Sequence, residues 1–328
     1  MSRRALAVLL ALSAAGCGDD PPATPVDSAP TAADPTPLDP QAEALVRQAL
    51  EAIRARRWED VATTLQPLLT RASPPPDASW IAGSAAFELG RYPETVELLG
   101  DAVRRRPAFL PNAVALGFAQ RELGDFAGAE ATFQQIVAAR PTGHKAHYGL
   151  GLVALDQGRL PDARRELEAA LALEPGYLKA HAALGRLLLE EGRLEDARDE
   201  LQRVVEAWPS NEQALYLLAQ AQSTLGDQPA ADATLARRSQ VYATKEQLAA
   251  LSARRQSAEA SAAEYAREVH LLLEIGETGE AARTCSLGLR AHPDAPELMA
   301  LLEAGLVSPG APDAASAADD EPADDLRR

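Results

Sequence analysis

Five sets of residues recur along this chain at a single spacing. Gly90, Gly124, Gly158, Gly192 and Gly226 stand 34 residues apart, and so do Pro107, Pro141, Pro175 and Pro209. Gly83, Gly117, Gly151 and Gly185 form a third comb that Ala219 continues. Ala129, Ala163, Ala197 and Ala231 form a fourth, and Leu99, Phe133, Leu167, Leu201 and Leu235 a fifth. A fixed period of this length means one supersecondary unit repeated in tandem, each copy too small to bury its apolar face alone. Composition makes that unit helical. Apolar residues are 46% of the 328, yet aromatics are only 4%, and the Ala and Leu that remain lose little entropy in a helix, whereas sheets favour β-branched and aromatic types. The fold class is therefore all-α.

The combs say how the unit is built. A tiny side chain in the third comb lets two helices approach closely, and the alanine comb supplies the same from the facing helix. Glycine in the first comb supplies the left-handed cap that ends helix A, and proline ends helix B. The pattern resembles the tetratricopeptide repeat, a helix-turn-helix unit with Leu-Gly at positions 7 and 8, Ala at 20, a large apolar residue at 24, a small one at 27 and Pro at 32. Units beginning at Ala42, Pro76, Leu110, His144, Leu178 and Glu212 follow without a gap. The fourth matches best, with Leu150, Gly151, Ala163, Leu167, Ala170 and Pro175 at the signature places; the first, with Gln48, Ala49 and Val61, is the weakest.

A seventh unit from Ala262 carries Gly276, Ala281 and Pro293 in register with one another but 16 residues late against the combs. Unit six has Ala243 where its terminating proline belongs, and "EQLAALSARRQSAEAS" (246–261) is free of Gly and Pro, so helix B is expected to run on through much of this insert. "PELMALLEAG" (296–305) reads as a final helix that covers the end of the stack. The expectation is a right-handed superhelical solenoid over residues 41–305, of about seven repeats plus a capping helix. Residues 306–328, rich in Ala, Pro and Asp, are expected to be a disordered acidic tail.

The amino terminus reads differently. "MSRRALAVLLALSAAGCGDD" has Arg3 and Arg4, an apolar run from Ala5 to Ala15, and small residues ending at a cysteine. Such a run is too short to span a bilayer as a helix and marks an export signal. Ser13-Ala14-Ala15-Gly16-Cys17 resembles the lipobox of bacterial lipoproteins, which implies cleavage after residue 16 and lipidation of Cys17. Gly18 is not the Asp that retains enteric lipoproteins in the inner membrane, so the resemblance favours the outer membrane. Residues 18–40 hold seven prolines and no basic residue, which suits an extended tether; at about 3.1 Å per residue it would reach roughly 70 Å. With Cys17 lipidated, Cys285 has no partner for an internal disulfide and is expected to be a buried thiol.

No stretch remains that is long enough for a catalytic domain. The formal charge is −16, and Arg104 to Arg106 is the densest basic cluster, so a nucleic-acid partner is excluded and that cluster reads as a solvated helix end. Gly149 and Gly151 could be read as a phosphate loop, but such a loop follows a strand and opens a helix, whereas these fall inside helix A of unit four. Three imidazoles, His144, His147 and His181, make a metal site geometrically conceivable, yet position 4 is a packing position and no carboxylate or thiol shares the register. Cys285 at position 24 with His270 or His292 is a further nucleophile candidate, set against a packing role. The expectation is no catalytic residue, no metal and no cofactor.

The resemblance also implies where a partner would bind. In this family positions 2, 5, 9, 12 and 13 of the A helices line the concave face. Carried over, position 5 is Val46, Trp80, Val114, Tyr148, Ala182, Tyr216 and Ala266, position 9 is Leu50, Ser84, Phe118, Leu152, Arg186, Gln220 and His270, and position 12 is Ile53, Phe87, Arg121, Leu155, Leu189, Ser223 and Leu273. The first four units are thus expected to present an apolar and aromatic strip while later ones turn polar, unless neighbouring helices or the tether cover it. The groove type that clamps a terminal carboxylate with Lys and Asn at positions 5 and 9 is set aside, because Val46 with Leu50 and Trp80 with Ser84 stand there. An extended or helical peptide with apolar side chains is the expected ligand. The architecture is similar to type IV pilus pilotins and to the lipoprotein of the β-barrel assembly machine. That implies a membrane-tethered scaffold or assembly factor in the bacterial envelope; a recruiting subunit for an envelope enzyme and a solenoid that binds carbohydrate or a small molecule are the alternatives.

Overall fold

The computed structural model describes residues 38–54, 57–257 and 260–307. The expected export signal, Cys17, the expected tether through residue 37 and the expected tail beyond 307 lie outside the described residues. Among the described residues the elements are 15 α-helices and one short 3₁₀ segment, with no strand. They divide into two compact units, one through Val153 and one from Ala154.

The first unit is three helix hairpins and the start of a fourth. Helix α1 (Pro40–Arg54) pairs with α2 (Trp58–Leu69), α3 (Pro76–Glu88) with α4 (Tyr92–Arg105), and α5 (Val114–Glu122) with α6 (Phe126–Ala139); α7 (His144–Asp156) carries the boundary. Close approach within a hairpin depends on glycine. A Cβ added at Gly83 would stand 2.8 Å from Leu99, and one at Gly117 would stand 2.6 Å from the Phe133 ring, so position 8 is the seat of position 24. Gly149 of α7 lies against that same ring with no room for a Cβ, so Phe133, the one aromatic in its comb, is matched by a glycine in the next helix. This is the packing role of the Gly149 pair.

The third hairpin keeps its register but starts its first helix later than expected. Helix A was to begin at Leu110, but α5 begins at Val114, after a 3₁₀ segment from Pro107 to Asn112. Pro107 and Pro111 lack the N–H that a regular helical turn would use, and the chain closes i to i+3 bonds instead, Phe109 N–H to Arg106 C=O and Ala113 N–H to Leu110 C=O, each 2.9 Å. The segment is anchored. Arg106 Nη1 donates to Asp77 at 2.6 Å and its guanidinium lies 4.8 Å over the Phe109 ring, which packs 4.9 Å from Trp80.

The second unit contains α8 (Leu160–Leu173), α9 (Leu178–Glu190) with α10 (Leu194–Ala207), and α11 (Glu212–Thr224) with the 30-residue α12 (Gln228–Ser257). Then come α13 (Ala262–Glu274) with α14 (Thr278–Ala291), and α15 (Pro296–Glu303). No Gly or Pro follows Pro229 in α12, so nothing stops that helix where helix B of a regular unit ends. Side chains cap the helix starts: Asn211 Oδ1 accepts from Ala214 N–H at 2.9 Å, and Ser261 and Glu264 form a reciprocal capping box before α13.

Across both units the interior hairpin turns end on glycine with positive φ, between +68° and +85° from Gly90 to Gly276. An L-residue with a side chain rarely adopts that geometry, which is why the comb is glycine.

The insert changes where the seventh hairpin attaches. Glu277 accepts hydrogen bonds from Trp208 Nε1 at 3.3 Å and from Ser210 Oγ, Gly276 lies against Pro209, and Ile275 joins the core formed by Leu201, Val204, Leu215 and Val241. The hairpin is therefore tied to the loop that closes unit five. Position 24 records the consequence. Leu65, Leu99, Phe133, Leu167, Leu201 and Cys285 are each 0% exposed, whereas Leu235 is 39% exposed. Leu235 thus shares its comb's spacing but not its burial. A position-24 side chain is enclosed by its own helix A and by the next helix along, as Gly149 covers Phe133 and Leu298 covers Cys285, and no helix follows unit six in that register.

Candidate partner-binding surface

The groove positions inferred from the repeat register do not share one environment. In the first unit Val46 and Leu50 are buried in a core cluster with Val61, Leu65 and Ile81, against which the half-buried Ile53 and Trp80 also pack. Phe87 is buried 5.9 Å from the Tyr92 ring. Phe118 is 5% exposed, edge-on to Phe133 at 5.0 Å and 5.9 Å from Tyr148, which is 4% exposed; Leu152 is buried as well. Val114 is half-buried at the first turn of α5.

The expected open apolar strip over the first four units is thus corrected at Val46, Leu50, Phe87, Phe118, Tyr148 and Leu152. Large apolar side chains at adjacent register positions bury one another, because burying an aromatic ring removes more apolar area from water than any other choice in so aromatic-poor a chain.

The second unit opens at α11. Tyr216, at position 5 of α11, is 50% exposed, and Gln220 and Ser223 at positions 9 and 12 of the same helix are exposed too. Arg186 at position 9 of α9 is half-buried, held by Glu190 at 3.0 Å and Asp156 at 3.3 Å. The guanidinium of Arg238 on α12 lies 5.4 Å over the Tyr216 ring, which fixes the ring in place while leaving one face to solvent. Tyr242, further along α12, is also exposed, and its hydroxyl donates to Glu246, which holds that hydroxyl above its usual pKa. Leu235, Arg238 and Tyr242 had no place among the sequence-derived site residues. The signal that could have found them was in the sequence, since a unit displaced by 16 residues must leave the preceding helix B without its cover.

The remaining chemical candidates resolve into packing. His181 is buried, with Nδ1 at 2.7 Å from Glu200 and Nε2 at 2.9 Å from the Pro175 carbonyl, so both ring nitrogens are used structurally. Among the described residues no three His, Cys, Asp or Glu side chains are grouped to hold a metal ion. Cys285 is enclosed, its thiol 3.7 Å from the Leu298 carbonyl, and burial raises its pKa, the opposite of what a nucleophilic thiolate needs. Arg104 and Arg105 both pair with Asp101, and Arg106 with Asp77, so the basic run is matched by carboxylates. Among the described residues no helix is long and apolar enough to cross a membrane.

Comparison with known proteins agrees with this geometry. A tetratricopeptide-repeat family model matches residues 46–108, 114–177 and 182–240, together more than half of the chain, and a second matches 154–207. Among solved structures, PilW, described as a widely conserved type IV pilus biogenesis factor, is 21% identical with a TM-score of 0.52, over 61% of this chain and 93% of that one. A tetratricopeptide repeat protein from Parabacteroides merdae is 14% identical with a TM-score of 0.48, over 81% and 99%. MamA from Desulfovibrio magneticus, residues 41 to its end, is 21% identical with a TM-score of 0.46, over 51% and 95%. At these identities the likeness is one of fold. No curated protein matches the chain.

Proposed function

This chain belongs to the tetratricopeptide-repeat family, and we propose that it is a lipid-anchored scaffold of the bacterial envelope, a binding protein with no catalytic role, whose repeats hold a protein or peptide partner. Repeats of this family bind protein partners. The observation that carries the reading is the opening of the register positions on α11, where Tyr216, Gln220 and Ser223 reach solvent while the corresponding positions of the first unit are filled. An exposed tyrosine pinned by an arginine is a rigid, amphipathic anchor of the kind that dominates binding energy at protein interfaces. The half-buried Ile53, Trp80 and Val114 offer smaller apolar edges in the first unit.

The envelope part of the proposal rests on Arg3, Arg4, the apolar run and Cys17, followed by a segment whose prolines and aspartates suit a tether. Several acyl chains on one cysteine would make attachment stable where a single chain would be marginal. The fold likeness to PilW is compatible with an assembly role and adds nothing about the partner.

Two variants test the two halves separately. Cys17→Ser should move the protein from the membrane fraction to the soluble one, and a variant that still floats with membranes refutes the lipid anchor. Tyr216→Ala combined with Gln220→Ala, captured by crosslinking in intact cells, should lose most of the partner recovered with the natural chain while keeping its helical circular dichroism. Undiminished capture would place the partner elsewhere.

A further inference from the structure

Part of α12 stands uncovered. Residues 235 to 240 are all exposed, and among the described position-24 residues Leu235 is open to solvent where Leu65, Leu99, Phe133, Leu167, Leu201 and Cys285 are enclosed. Leu235, Ser239 and Tyr242 follow one another at i, i+4 and i+7 and make a single stripe, with Arg238 beside it. The other position-24 residues show what belongs there: the next helix along, presenting small and apolar side chains, as Gly149 does to Phe133 and Leu298 to Cys285.

Charge narrows the occupant. From Ala233 to Lys245 the helix carries Arg237, Arg238 and Lys245 and no carboxylate, in a chain whose formal charge is −16. Lys245 is taken by Glu212 at 3.0 Å, whereas Arg238 meets the Tyr216 ring. Carboxylates flank the stripe at both ends: Asp232, one turn before Leu235 and bonded to Gln228 at 2.7 Å, and at the far end Glu274, bonded to Gln240 at 2.7 Å, and Glu246, bonded to Tyr242. Between those carboxylates Arg237 and Arg238 stand beside Leu235, so the middle of the stripe is cationic and apolar at once.

From this we infer that the face of α12 around Leu235, Arg237, Arg238 and Tyr242 docks an acidic amphipathic helix of a partner protein, which takes the place of the helix A that the insert displaced. The helix lays its small and apolar stripe on Leu235 and Tyr242 and turns its carboxylates to Arg237 and Arg238. This surface is on helix B, and the inference stands whether or not the A-helix positions hold a ligand.

The test uses two synthetic 15-residue amphipathic peptides with one shared Ala/Leu face, one flanked by Glu and the other by Lys, titrated by fluorescence anisotropy into the full chain in detergent. The Glu peptide should bind at least about tenfold more tightly than the Lys peptide, with an advantage that shrinks as salt rises. Leu235→Asp and the pair Arg237→Ala with Arg238→Ala should each weaken it about tenfold with unchanged circular dichroism. Gln220→Ala should leave it untouched, which separates this face from the groove of the proposed function. Equal affinity for both peptides, or no binding of either, overturns the inference. So does a chain that is dimeric until Leu235→Asp dissociates it, which would make a second copy the occupant, or a face that opens to the peptide only when residues 308–328 are removed, which would make it the chain's own acidic tail.

Discussion

Position 5 of the repeat is a buried tyrosine in α7 and an open tyrosine in α11, and position 24 is a buried leucine in α10 and an open one in α12. The residue types are the same and the register is the same. Tyr148 is closed in by the Phe118 ring, while Tyr216 is half exposed beside the Arg238 guanidinium. Leu201 fills the seat left by Gly185, where a Cβ would stand 2.6 Å away, and is enclosed on its other side, while Leu235 lacks that second wall. In a repeat protein the register fixes which way a side chain points, and the neighbouring unit decides whether it is core or surface. The first unit buries most of its apolar register positions; in the second, where the insert breaks the period, Tyr216 and Leu235 are left open to solvent.

The contrast at position 24 is the easiest to break. Leu201→Asp should cost more than about 4 kcal/mol, since it buries an unpaired carboxylate and removes a core side chain, and should unfold the second unit in urea titrations. Leu235→Asp, the same change in the same register, should shift stability by no more than about 0.5 kcal/mol. If both changes are equally damaging, α12 is covered and the contrast is false.

A smaller effect sharpens the same point at the closed end of the array. Cys285 should resist alkylation in the native state and react on unfolding, because Leu298 covers it. Burial raises its pKa, so the unfolded chain gives up this proton first; the thiol's contribution to stability is intact below the ordinary thiol range and declines as pH rises through it. A Cys285→Ser variant should flatten that part of the stability profile, and an unchanged slope would show that the thiol takes no part in it.

Much of this fold was legible in five combs of residues. The glycines at one spacing became the positive-φ turns, the position-8 glycines became the seats of Leu99, Phe133 and Leu201, and the late arrival of Gly276 and Ala281 became the displaced seventh hairpin. The start of α5 was misjudged because Pro107 and Pro111 act on a single turn, below the resolution of a period. The binding surface was the less legible part. Register places Phe118 and Tyr148 on the side of helix A that faces a ligand in this family, but it carries no information on ring size or on what the next helix brings, and those two rings are large enough to close on each other. Leu235 differs from the rest of its comb for the opposite reason, since burial there needs a following unit that the same sequence places 16 residues further on.

The central claim is that the first unit's aromatic positions hold the fold while the second unit's hold a partner. The most direct measurement pairs urea denaturation with crosslinked capture for Tyr148→Ala and Tyr216→Ala. Tyr148→Ala should cost about 3 kcal/mol or more, as large-to-small core changes do, whereas Tyr216→Ala should leave stability within about 0.5 kcal/mol and remove most of the captured partner. A stable Tyr148→Ala that loses the partner, beside a Tyr216→Ala that keeps it, would contradict the account.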